Sequence, residues 1–239
     1  MKLLTSFFIS SLAFAVMTAN CIAADAPVQN TVSEPVHLNN DAKYKDALDN
    51  LLKNPPATTA AFEDQANYIF NLTTAELRMR DYVTAVSYAR QLVKMVPDSW
   101  LAHDTLSICL GKSGKYDEAI KEAKQATVLD TPPAMHPNLV LASWEWHAGK
   151  KDDALKRVAS VAAPSDANDQ RNYYGTLTCF YASVGDEEKI QDAFKKASAV
   201  DKQGSLVEFL ARDIVFDPYR RKDWFINIVG KTLAEPSGK

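Results

Sequence analysis

Between residues 66 and 204 the apolar positions recur at helical spacing and again on a longer period. Leu106 and Leu110 lie at i, i+4, and Ala119, Ala123 and Ala126 at i, i+4, i+7, the spacing of a single buried helix face. Leu72, Leu106, Leu141 and Leu177 are separated by 34, 35 and 36 residues, and each is followed by a small residue: Thr73, Ser107, Ala142, Thr178. Gly114, Gly149 and Gly185 keep the same phase, and Arg80 holds that place in the first copy. Then come Tyr82-Val83-Thr84-Ala85, Tyr116-Asp117-Glu118-Ala119, Lys151-Asp152-Asp153-Ala154 and Glu187-Glu188-Lys189-Ile190. The pattern predicts four helix pairs. Gly114 ends its first helix, where a left-handed residue is favoured, and small residues on the second helix let neighbours approach closely. Stacking then buries an apolar stripe that one pair alone cannot hide.

These residues resemble the tetratricopeptide repeat family, whose pattern sets a Leu, a small residue, a turn Gly, a Tyr, an Ala and a closing Pro within about 34 residues. Gly114-Lys115-Tyr116-Asp117-Glu118-Ala119-Ile120 carries the likeness best, Pro97 closes the first copy, and Tyr174, Leu177, Tyr181, Phe194 and Ala197 fall on signature positions of the fourth. The chain departs from the family in several places. The small residue after Leu is never Gly, Ile190 replaces the second-helix Ala, and Ala89, Ala123 and Val158 replace aromatics. Pro164 arrives early in the third copy. The resemblance implies an all-α fold, a right-handed superhelical array of about four such helix pairs at 66–99, 100–133, 135–166 and 171–204.

In that family the first helices line a concave groove where peptide ligands lie. Transferred to this chain, the lining is Asn67, Asn71, Thr74 and Arg78, then Asp104, Ile108 and Lys112, then His136, Ser143, Trp146 and His147, then Asn172, Thr176 and Cys179. Asn and Thr can satisfy an extended peptide backbone, Trp146 can anchor an apolar group, and Arg78 and Lys112 can meet a carboxylate. The paired Lys and Asn of the family's carboxylate-binding members are incomplete here. Trp144 and Trp146 cannot share a helix face, and the phase puts Trp146 outside. The other reading of all these positions is a merely solvated inner face.

The array has distinct edges. Asp25 to Asn40, with Pro27 and Pro35 and no periodicity, reads as a flexible leader. Within the N-terminal segment 41–65, Asp41 to Lys53 reads as a helix stopped by Pro55-Pro56. The first array helix is expected from Ala57 onward, capped by Thr58 or Thr59. After the repeats, 205–239 reads as capping helices and tail. It comprises a helix over Ser205 to Phe216, an Asp217-Pro218 turn with Arg220-Arg221-Lys222, a last helix after Trp224-Phe225, and a polar end.

Residues 1–24 change the compartment expected. Lys2, an apolar run from Leu3 to Met17 and small residues to Ala24 are the layout of a cleaved bacterial export signal. The run is shorter than the roughly 20 residues that span a bilayer. Cys21 invites a lipoprotein reading, but Thr18 and Asn20 depart from that pattern. The expected location is periplasmic or secreted, with no membrane span in the mature chain.

Composition excludes further classes. A net charge of −3 and 24% charged residues argue against a nucleic-acid binder. No zinc-protease helix motif, nucleophile elbow, phosphate-binding glycine loop or Cys-x-x-Cys occurs. His136 and His147 are 11 residues apart, roughly 16 Å along a helix, too far for one metal ion. His103 and Ser107 at i, i+4 lack a third group. Cys109 and Cys179, two repeats apart, are too distant for a disulfide. The sequence therefore predicts no catalytic residues, no metal and no cofactor. It predicts a non-enzymatic adaptor that binds a protein or peptide, with a small-molecule or cell-wall glycan module as the alternative.

Overall fold

Four turns of one design organise the chain. In the computed structural model, which describes residues 41–130, 135–201 and 205–234, Gly114, Gly149 and Gly185 have φ of 80°, 81° and 84°, and Arg80 has φ 61°. Each turn closes with the same reach back: Asp81 N to Glu76 O at 3.0 Å, Lys115 N to Leu110 O at 2.9 Å, Lys150 N to Glu145 O at 2.8 Å, Asp186 N to Tyr181 O at 3.3 Å. This satisfies carbonyls that a helix end leaves open, and it needs a left-handed residue to do so. Arg80 adopts that conformation with a Cβ present, at a cost of about 1 kcal/mol that the glycines avoid.

The turns separate antiparallel helices, and the fold is all-α. Among the described residues the elements are α1 (Asp41–Lys53), α2 (Phe62–Arg78), α3 (Tyr82–Met95), α4 (Trp100–Lys112), α5 (Tyr116–Leu129), α6 (Met135–His147), α7 (Lys151–Ser160), α8 (Ala167–Val184), α9 (Glu187–Val200), α10 (Ser205–Arg212), a 3-10 turn over Ile214–Tyr219, and α11 (Asp223–Ala234). The pairs α2/α3, α4/α5, α6/α7 and α8/α9 correspond to the four helix pairs expected from the repeat spacing. None of the described helices is long and apolar enough to cross a membrane. The signal 1–24, the leader 25–40 and the tail 235–239 lie outside the described residues.

The chain forms two compact units, one of residues 38–158 and one whose described part begins at 159. In the first, α5 packs by its smallest side chains. Ala119, Ala123 and Ala126 are fully buried, and Ala119, Ile120 and Ala123 share one core cluster with Leu106, Cys109 and Leu110 of α4 and Val140, Leu141 and Trp144 of α6. Helix α4 is enclosed, with ten of its thirteen residues buried, the polar His103, Asp104, Thr105 and Ser107 among them. Burial pushes the Cys109 thiol up to about 12. Cys109 and half-buried Cys179 are both free thiols.

In the second unit α9 buries Ile190, Ala193, Phe194 and Ala197. Phe194, Phe216 and Phe225 are fully buried with ring centroids 5.7 to 5.9 Å apart, so the 3-10 turn and α11 cover the apolar side of α9. Tyr219 Oη donates to Ala182 O at 3.2 Å. Asp201 accepts from the backbone N–H groups of Leu206 (2.7 Å) and Val207 (3.0 Å) and from Arg171 Nε (3.0 Å). One buried carboxylate thus caps α10 and ties it to α8.

Two expected boundaries are corrected. Helix α2 begins at Phe62, not Ala57. Its cap position, Ala61, has no side-chain bond, and Ala57–Ala60 closes a separate turn through Ala60 N to Ala57 O at 2.8 Å. The helix expected over Ser205 to Phe216 stops at Arg212, because Asp213 accepts from Val215 N at 2.9 Å and caps the 3-10 turn instead.

Candidate functional site

The first-helix face of the 38–158 unit is polar and only partly covered. On α2, Asn67, Asn71, Thr74 and Arg78 are half-buried. Thr74 spends its hydroxyl on Phe70 O at 3.0 Å, which leaves the two asparagine amides as the adaptable groups. On α4, Ile108 and Lys112 are half-buried; on α6, His136 and Trp146 are half-buried and His147 is exposed. Two lining residues are corrected. Asp104 is 2% exposed, and Ser143 is buried with its hydroxyl donating to Leu139 O at 3.1 Å. Both sit on helices whose neighbours enclose more than one face. Asn172, Thr176 and Cys179 belong to α8 of the other unit. They are half-buried, and Thr176 donates to Asn172 O at 2.9 Å.

A charged cluster ties α4 to α6. His136 Nε2 lies 3.1 Å from Asp104 Oδ2, and Asp130, at the end of α5, faces both. Burial opposes charging the His136 imidazole, but the charge and hydrogen bond of Asp104 and the charge of Asp130 outweigh it and hold His136 above its ordinary value. Burial raises the Asp130 carboxyl to about 6; the His136 charge opposes this and the Asp104 charge adds to it. Both groups hold their protons more tightly when folded. The stability from Asp130 is present below its ordinary 3.8 and lost as pH rises to about 6; that from His136 is present below 6.5 and lost above its raised value. The urea midpoint is therefore expected to fall from pH 5 to pH 8, and Asp130→Asn to flatten the fall. Asp130 is half-exposed and screened, so its share is held to about 1 kcal/mol. Equal slopes in both proteins, followed by circular dichroism, would contradict the assignment.

An aromatic group lies at the other end of α6. Trp144 is buried and its Nε1 donates to Ser107 Oγ at 2.9 Å. Gly111 makes room for the indole: a Cβ there would lie 2.5 Å from the ring. His147 stacks on Tyr116 with centroids 5.1 Å apart and planes 9° apart. Burial, then the Lys112 charge, pushes His147 below its ordinary value. Lys151 Nζ stands 5.0 Å from the centre of the half-buried Trp146 ring, a cation over a π face.

The remaining chemistry is structural. His103 bridges Glu122 Oε2 (2.7 Å) and Pro97 O (2.9 Å), while Ser107 is held by Trp144, so the His103–Ser107 pair is no nucleophile and base. Arg157 grips both oxygens of buried Glu145 at 2.9 Å and stitches α7 to α6. Arg220 pairs with Asp217 and Lys222 with Glu187, so two of the three basic residues in the closing turn have partners within the chain. Among the described residues no group of three His, Cys, Asp or Glu could hold a metal ion. Sequence reasoning missed Asp130, Tyr116 and Lys151. Tyr116 was visible as a repeat signature, but its stacking on His147 crosses from one repeat to the next.

No protein-family model matches the chain, and no curated protein matches it. Among solved structures, the crystal structure of MamA aligns over 68% of this chain and 92% of its own, with 18% identity and a TM-score of 0.37.

Proposed function

We propose that this protein is a non-enzymatic adaptor of the bacterial envelope, exported to the periplasm, that binds a protein or peptide segment along its first-helix face. The observation that carries the reading is the division of labour within α2, α4 and α6. Their Leu-small stripe is spent in the core, while Asn67, Asn71, Arg78, Lys112 and Trp146 stay partly open on rigid helices. Preformed side chains on packed helices bind with little ordering cost. Asparagine amides suit an extended backbone, and Trp146 offers a flat apolar surface beside the Lys151 charge.

The test is capture from an envelope extract. The full sequence is produced in a bacterial host, and the chain is recovered from the periplasmic fraction beside an Asn71→Ala/Arg78→Ala/Trp146→Ala variant with an unchanged circular dichroism spectrum. Recovery with an N-terminus at Ala24 or Asp25, and a protein retained by the parent and lost by the variant, is the expected result. Equal retention by both would move the site away from this face, and recovery only from the cytoplasm would defeat the export reading.

A further inference from the structure

The four helix pairs treat one position differently. Four residues after Leu72, Leu106, Leu141 and Leu177 stand Glu76, Leu110, Glu145 and Tyr181. Glu145 is buried, and Arg157 holds both of its oxygens at 2.9 Å. Arg157 lies three residues after Ala154 on the second helix; the same place after Ala85 belongs to Tyr88. Glu76 is enclosed as well, 9% exposed, and among the described residues its carboxylate has neither a hydrogen bond nor an ion pair. The charge that reaches it is that of Asp81, at the start of α3, and it has the same sign. Burial, then Asp81, raises the Glu76 carboxyl above its ordinary 4.5. Of the other charged groups on α1 and α3, Arg90 is held by Glu118 at 2.6 Å, and Lys45, Asp46, Asp49, Lys53 and Lys94 form no ion pair with Glu76. Arg78, two positions on, leaves α2 from a different side.

We infer that the α2/α3 pair is an acid-tightened element of the fold: a proton taken up at Glu76 removes a buried charge that the third pair neutralises with Arg157 and the first pair does not. A buried carboxyl is far less costly neutral than ionised when no cation or donor meets it. A group whose folded value is raised gives stability that is fully present below its unfolded value and lost as pH rises through the folded one. The pair is therefore firmest below the ordinary 4.5 of Glu76 and looser at neutral pH. Helix α2 carries the half-buried Asn67, Asn71 and Arg78, so hold on a partner follows the same course. That consequence rests on the adaptor reading above; the tightening itself does not.

The test is hydrogen exchange of the full chain, read by mass spectrometry over α2 and α3 at pH 4.5 and pH 7 and corrected for the pH dependence of exchange itself. Protection is expected to be higher at pH 4.5. Glu76→Gln keeps the shape without the charge. It should remove the difference and raise protection at pH 7 about fivefold, the low end of the cost of an unpaired buried group. Tyr88→Arg places a cation where the third pair has one; it should also raise protection at pH 7, and it serves if Glu76→Gln does not fold. Asp130→Asn separates this effect from the cluster between α4 and α6 and should leave the α2/α3 difference in place. Equal protection at both pH values in the parent, an unchanged difference in Glu76→Gln, or a difference abolished by Asp130→Asn would overturn the inference. The adaptor reading fails separately. A difference that Glu76→Gln removes, with no protein captured at either pH, sinks the adaptor alone; a captured protein with no pH difference in exchange sinks the acid-tightened pair alone.

Discussion

Asp201→Ala is expected to destabilise the unit that begins at residue 159 by about 3–5 kcal/mol, the cost of removing one partner of a buried ion pair. The carboxylate serves three donors: two backbone N–H groups at the start of α10 and Arg171 Nε. Its side chain is 1% exposed and that of Arg171 is 17% exposed. Alanine leaves the N–H groups open and takes the carboxylate from a largely buried guanidinium. A lost helix cap alone accounts for about 1 kcal/mol; the broken buried ion pair supplies the rest. Helix α10 should loosen first, releasing Leu206, Val207 and Leu210, all 2% exposed or less. Hydrogen exchange read by mass spectrometry should show lost protection over α10, and urea unfolding should give the total. Adding Arg171→Ala should recover part of the loss, because the buried guanidinium that has lost the Asp201 carboxylate is then gone too. A double variant no more stable than Asp201→Ala would mean that the cap dominates.

Trp144→Ala is expected to cost about 3–5 kcal/mol in the 38–158 unit, as for other large buried aromatics. The more telling result concerns Gly111. Alanine normally favours a helix interior over glycine by about 1 kcal/mol. Here the new Cβ would lie 2.5 Å from the Trp144 ring, a distance that forces something to move. The clash outweighs propensity, and Gly111→Ala should destabilise the parent by about 1–3 kcal/mol. In the Trp144→Ala background the obstacle is gone and the same substitution should stabilise. The change of sign, measured by urea unfolding of the four proteins, isolates this contact. Destabilisation of the same size in both backgrounds would place the cost elsewhere.

The repeat fold was legible because its signals are local and periodic. Gly114, Gly149 and Gly185 mark turns whatever surrounds them, and the spacing of Leu72, Leu106, Leu141 and Leu177 carries the phase of the first helices. The polar face was legible only by halves. A helical wheel sets Asp104 and Ser143 beside residues that stay partly open, but it knows nothing of the helices that enclose α4 and α6. The Asp104–His136–Asp130 cluster joins two repeats and the end of α5, and no spacing rule links those positions. The start of α2 was misplaced because Thr58 and Thr59 are good caps in isolation. The turn over Ala57–Ala60 delays the helix beyond their reach.

The two free cysteines give the molecule a pair of chemical clocks. The Cys109 thiol, sealed in α4 and held at about 12, offers almost no thiolate at neutral pH and no path for a reagent. It can be alkylated only when the 38–158 unit opens, so its reaction rate counts those openings. Cys179, half-buried on α8, keeps time for the other unit under easier access. One alkylating agent, followed by mass, would thus record how often each part of the resting protein breathes, with no label added and no residue changed.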